Sequence, residues 1–183
     1  MYKYFFGPSD PVIDPSDVSV SVAESVTAGA LCNSLCSEPG SSKYFKGGIT
    51  AYSIASKQEI LGIDMKLAEQ HNYATPFTTV EMAKAAVKLF KSRYGLATTG
   101  YSLPYYRKEN KEKNECELNI TTPYAYICIY DALTNKDITV REDFKYNPQE
   151  SKAIQRANMQ AITALLATKL YNEQVIKNSK NLN

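Results

Sequence analysis

Ser25 sits between two differently patterned runs of the chain. Before it, Val18, Val20 and Val22 alternate with Ser19 and Ser21; after it, Leu31, Cys32, Leu35 and Cys36 recur at helical spacing. A serine at a strand-to-helix turn stands at the edge of a sheet, where free backbone N–H groups can hold an anion, and this placement suits a nucleophile. The only histidine, His71, is not paired with Ser25 by any pattern, so a serine nucleophile here needs another base. Lysine fills that role in Ser–Lys hydrolases, and Lys57, one strand later, is the candidate. To act near neutral pH its pKa must fall by about three units, roughly 4 kcal/mol of environment working against the charged form. Burial beside Tyr52 would supply part of that. Ser25 also reads as a helix N-cap, and Lys57 as one residue of a solvated helix face.

Other signals are sparser. Thr99-Gly100 ends a short apolar run and opens a long polar one, as ligand-contacting turns often do. Cys32, Cys36, Cys116 and Cys128 match no disulfide framework or zinc-ribbon spacing, so reduced thiols are expected, with no metal and no cofactor. Lys plus Arg number 21 against 19 Asp plus Glu, a net charge of +2 that argues for neither nucleic acid nor a membrane surface. A small molecule or a second copy of the chain is the expected partner. No basic segment followed by a long apolar run is present, and the expected location is cytoplasmic.

The elements that would position these residues follow from periodicity and punctuation. Residues 1–17, with three prolines, read as an N-terminal arm, and residues 18–172 as one domain. Strands are expected from Val18 to about Ala23, Ile49 to Tyr52 and Leu96 to Thr99. Helices are expected over Ala28–Ser37, about Ser56–Leu61 and Thr78–Tyr94. Tyr105 to Glu117 reads as a solvated loop. Tyr124–Tyr130 and Ile138–Phe144 read as an antiparallel hairpin around Thr134-Asn135-Lys136. A last helix carries a stripe of Ile154, Ala157, Ala161 and Leu165 to about Tyr171, and residues 173–183 read as a frayed tail. The whole is an α/β fold, a three-layer α/β/α sandwich with a mixed sheet.

Two blocks carry a resemblance. Ala23-Glu24-Ser25-Val26-Thr27-Ala28-Gly29 is similar to the A-E-S-C-T-G-G segment of the CinA C-terminal domain family, with Val26 and Ala28 as departures. Pro39-Gly40-Ser41-Ser42, Tyr44-Phe45, Gly47-Gly48, Ala51-Tyr52-Ser53, Lys57 and Leu61-Gly62 fall at that family's spacing, and Glu81-Met82-Ala83 and Gly95-Leu96-Ala97 continue it, over about Val18 to Leu170. The resemblance implies hydrolysis of the carboxamide of nicotinamide mononucleotide without a metal. It assigns the family's serine, tyrosine and lysine to Ser25, Tyr52 and Lys57, and implies an oxyanion held by amides near Thr27 to Gly29. The implied partners are a small-molecule pyridine nucleotide and further copies of the chain. Thr99-Gly100-Tyr101-Ser102-Leu103-Pro104 departs from the family's glycine-rich loop, and Tyr146-Asn147-Pro148 stands where the family carries G-D-R. Arg156 or Lys152 would then substitute in phosphate binding. A catalytically degenerate nucleotide-binding or assembly subunit is the alternative that these departures motivate.

Overall fold

A computed structural model of the protein describes residues 14–64, 73–107 and 118–180. His71, Cys116 and most of the arm lie outside the described residues. Five strands make the main sheet in the order β2-β1-β3-β6-β7, where β1 is Val20–Glu24, β2 Phe45–Thr50, β3 Tyr94–Tyr101, β6 Tyr124–Asp131 and β7 Lys136–Asp143. β1 pairs in parallel with β2 and β3, whereas β3–β6 and β6–β7 are antiparallel, so the sheet is mixed.

The connections explain the layers. From β1 the chain crosses through α1 (Ala30–Ser37) to β2; from β2 it returns through α2 (Ile54–Glu59) and α3 (Pro76–Phe90) to β3, on the other side of β1. The two crossovers leave helices on opposite faces. Val20, Val22, Leu96, Ile127 and Ile129 pack with Leu31 and Leu35 of α1 and with Ala164, Ala167 and Tyr171 of α4 (Lys152–Lys180). Ala23, Ala97 and Cys128 pack on the opposite face with Met82, Ala83 and Ala86 of α3. Covered on both faces, β1 is buried throughout, and Ser21, which the alternation would leave in water, meets Ser92 Oγ at 2.6 Å.

Four expectations change. The helix expected to reach Tyr94 ends at Phe90, and Tyr94 opens β3 instead. The stretch from Tyr105 is not all loop: β4 (Tyr105–Arg107) pairs antiparallel with β5 (Leu118–Ile120), and the residues between lie outside the described set. The expected stripe of the last helix faces water. Ile154 is 52% and Leu165 64% exposed, and the buried face is Met159, Thr163, Ala164, Ala167 and Tyr171, which pack toward the sheet. The expected frayed tail is helical to Lys180, because Asn178 donates to Tyr94 Oη at 2.8 Å and to Asp131 at 3.0 Å. Of the arm, Pro15 and Asp17 offer their carbonyls to Arg93.

Candidate active site

Ser25 follows the last residue of β1, and its N–H donates to Thr98 O at 2.8 Å, extending the β1–β3 ladder by one step past the strand. The chain then turns sharply into α1, with Ala28 at φ 51 and Gly29 at φ 103, both in the left-handed region. Ser25 is 7% exposed, at the C-terminal edge of the parallel strands, where open α/β sheets place their ligands.

Lys57 comes to this serine from α2. Ser53 starts that helix by accepting a bond from Ser56 N at 3.0 Å, and the cap orients the next turn so that Lys57 points inward, 5% exposed. Its Nζ lies 3.0 Å from Ser25 Oγ, 2.8 Å from Ala51 O and 3.1 Å from Tyr52 O. No carboxylate neutralises it among the described residues, and burial lowers its pKa to about 8. The protonated lysine donates to all three oxygens; once it is neutral, two N–H groups go to the carbonyls and the lone pair is left for the serine O–H. Tyr52 contributes through its main chain. Its ring is 64% exposed and so does not bury the lysine, contrary to expectation.

The turn's donors are arranged differently from the expectation. Glu24 is fully buried, and its carboxylate accepts the N–H groups of Gly29 at 3.0 Å, Leu31 at 3.0 Å and Cys32 at 2.9 Å. The positive end of α1 is thus taken up internally, and the Gly29 amide is not available to an oxyanion. The N–H groups of Val26, Thr27 and Ala28 have no acceptor among the described residues. Thr27's hydroxyl is likewise structural, 2.6 Å from Thr98 Oγ1 and 1% exposed.

The remaining expected residues divide. Thr99, buried in β3, falls level with Ser25 because Glu24 pairs with Thr98, and strand alternation gives it the α3 face. Gly100 belongs to the other face, and its lack of a side chain is explained by packing, since a Cβ there would meet Tyr124 O at 2.1 Å. Arg156 is exposed one helical turn before Gln160, whose Nε2 donates to Val26 O at 3.2 Å, so it stands on the side of α4 nearest the turn. Glu24 and Thr98 were missed as site residues. Glu24 did leave a signal: an acidic residue in step with Val20 and Val22, immediately before a helix.

The family model for the CinA C-terminal domain matches residues 13–168. The chain belongs to this family. A CinA-like protein of Flavobacterium psychrophilum is 30% identical over 145 residues, 79% of this chain and 32% of that protein. A putative competence-damage inducible protein of Streptococcus thermophilus is 40% identical over 86 residues, 47% of this chain and 20% of that protein. The chain therefore spans a third or less of the length of these CinA relatives. Among solved structures, a CinA superfamily protein of Klebsiella pneumoniae superposes with a TM-score of 0.62 at 16% identity, covering 85% of this chain and 88% of that one. The competence/damage inducible protein CihA of Agrobacterium tumefaciens gives 0.61 at 18% identity, covering 85% and 87%. These two likenesses establish the CinA fold, a mixed five-stranded sheet between helices. No helix among the described residues is long and apolar enough to cross a membrane.

Proposed function

We propose that the protein is an amidohydrolase that converts nicotinamide mononucleotide to nicotinic acid mononucleotide and ammonia through Ser25 and Lys57. The supporting observation is the 3.0 Å approach of a buried lysine, without a counter-ion among the described residues, to a serine at the sheet edge. The substrate comes from the family resemblance, and the chemistry from the geometry.

Ser25 Oγ attacks the carboxamide carbon while its proton passes to the lone pair of Lys57 Nζ. The carbonyl oxygen becomes an oxyanion that the amides of Val26, Thr27 and Ala28 receive. Collapse breaks the C–N bond, and Lys57 returns the proton to the leaving nitrogen, giving ammonia and an acyl-serine. Water, deprotonated by Lys57, then releases the carboxylate and restores the serine. The exposed Tyr52 ring would cover the pyridine, and Arg156, exposed near the start of α4, would meet the phosphate.

Purified protein incubated with nicotinamide mononucleotide should release ammonia, and Ser25→Ala or Lys57→Ala should each lower kcat by about three orders of magnitude or more. The rate should rise with pH through about 8, because only the deprotonated lysine accepts the serine proton. Near-normal turnover in either variant would falsify the dyad. A thermal shift with nucleotide but no ammonia from the wild type would instead support the binding-subunit alternative, which the altered segment after Gly100 favours.

A further inference from the structure

β7 ends the sheet: among the described residues its only neighbour is β6. Its outer side therefore presents alternate backbone N–H and C=O groups over eight residues, Lys136–Asp143. On the α1/α4 face of this strand Ile138 is 40% and Val140 42% exposed, both in register with buried Ile129 and Ile127 of β6. An edge strand with two exposed branched side chains is a template for another strand. The strand's own sequence indicates which one.

A twofold axis perpendicular to the sheet keeps each face continuous only if it passes through a residue of the strand, so that every residue meets one of the same face. Centred on Thr139, this operation sets Lys136 opposite the partner copy's residue 142, a glutamate, and Asp137 opposite its residue 141, an arginine. Ile138 meets Val140, and Thr139 meets itself. Every charged residue from 136 to 142 then faces an opposite charge, and the exposed apolar residues face each other. Centring on Val140 instead would oppose Asp137 to Asp143 and Ile138 to Glu142. Centring on Ile138 leaves Arg141 and Glu142 outside the paired strand. Charges that protect an edge repel their own copies, whereas these attract them.

We infer that β7 is the interface through which two copies of this chain associate, antiparallel about Thr139, joining two five-stranded sheets into one of ten strands. Lys136 and Glu142 suit a test because neither side chain has an ion-pair or hydrogen-bond partner among the described residues. The surface lies apart from Ser25 and stands whether or not the amidohydrolase reading does.

The test is sedimentation equilibrium or light scattering of the full chain over a concentration series. Wild type should double its mass with rising concentration. Lys136→Glu alone, or Glu142→Lys alone, sets like charges face to face at two symmetric places and should weaken association by about tenfold or more. The double variant Lys136→Glu/Glu142→Lys restores opposite pairing and should recover the dimer. Circular dichroism on the three variants shows that each is folded. A wild type that stays monomeric throughout, single variants that dimerise as tightly as wild type, or a double variant no tighter than the singles would overturn the inference.

Discussion

Two cations are almost equally hidden, Lys57 at 5% and Arg93 at 4% exposure, at opposite ends of the central strands, and their surroundings differ in kind. Arg93 precedes β3 and faces Asp131 at the end of β6, with Nε 3.2 Å from Oδ1 and Nη2 3.3 Å from Oδ2. Its Nη1 takes the carbonyls of Pro15 and Asp17, its guanidinium lies 4.7 Å from the Tyr94 ring centroid, and Asn178 donates to the same aspartate. Every strong donor and acceptor there is matched, which is what a buried charge needs in order to cost little. Among the described residues, Lys57 has two carbonyls, a hydroxyl and no carboxylate. One end of the sheet spends its polar groups on stability, and the other leaves a proton loosely held.

The contrast is testable in descending size of effect. At the Arg93 end, Asp131→Asn should cost about 3–5 kcal/mol in urea unfolding, because it leaves a buried guanidinium without its counter-charge. The kcat of the folded fraction should stay near wild type; a loss of kcat comparable to that of Lys57→Ala would end the division between the two regions.

At the Lys57 end the pH dependence of stability has a defined sign. The folded-state pKa of about 8 lies below the usual 10.5, so below pH 8 the protonated lysine is penalised in full in the folded protein. Between 8 and 10.5 the folded state has released a proton that the unfolded chain still holds, and stability rises with pH; above that window no further gain remains. Wild type should therefore gain about 3 kcal/mol relative to Lys57→Met across this window. Taking the difference between the two proteins cancels the tyrosines and cysteines that titrate nearby. Parallel curves for the two would contradict a buried, unpaired lysine.

The smallest effect belongs to the turn. Ala28 holds φ 51 where the family pattern has glycine. Ala28→Gly should raise thermal stability by about 0.5–1 kcal/mol by relieving the left-handed alanine. A loss of stability would show that the alanine methyl makes contacts worth more than the strain.

The order of elements was legible because glycine and proline punctuate it: Pro39-Gly40 stops α1 and Gly62 follows α2. The pairing of Ser25 with Lys57 was suggested by the turn position, the lack of a paired histidine and the family spacing, while local pattern alone left Ser25 as a helix cap and Lys57 on a solvated helix face. Which face of α4 turns inward could not be read, because the helix carries two apolar stripes, and only the sheet residues folded against it select Met159, Ala164, Ala167 and Tyr171. Asn178 was assigned to a fraying tail because its partners Tyr94 and Asp131 are far away in sequence. The same distance hid Thr98, whose carbonyl and hydroxyl fix the nucleophile's turn only once β3 lies beside β1.

Glu24 gives the turn a further property. By closing the first amides of α1 on a carboxylate of its own chain, it uses up that helix end's attraction for an anion before any substrate arrives. A permanent anion entering there finds little reward. An oxygen that acquires charge only as a bond is breaking finds three amides that have no acceptor among the described residues. Under the amidohydrolase reading, the selectivity of this turn is one of timing rather than of affinity.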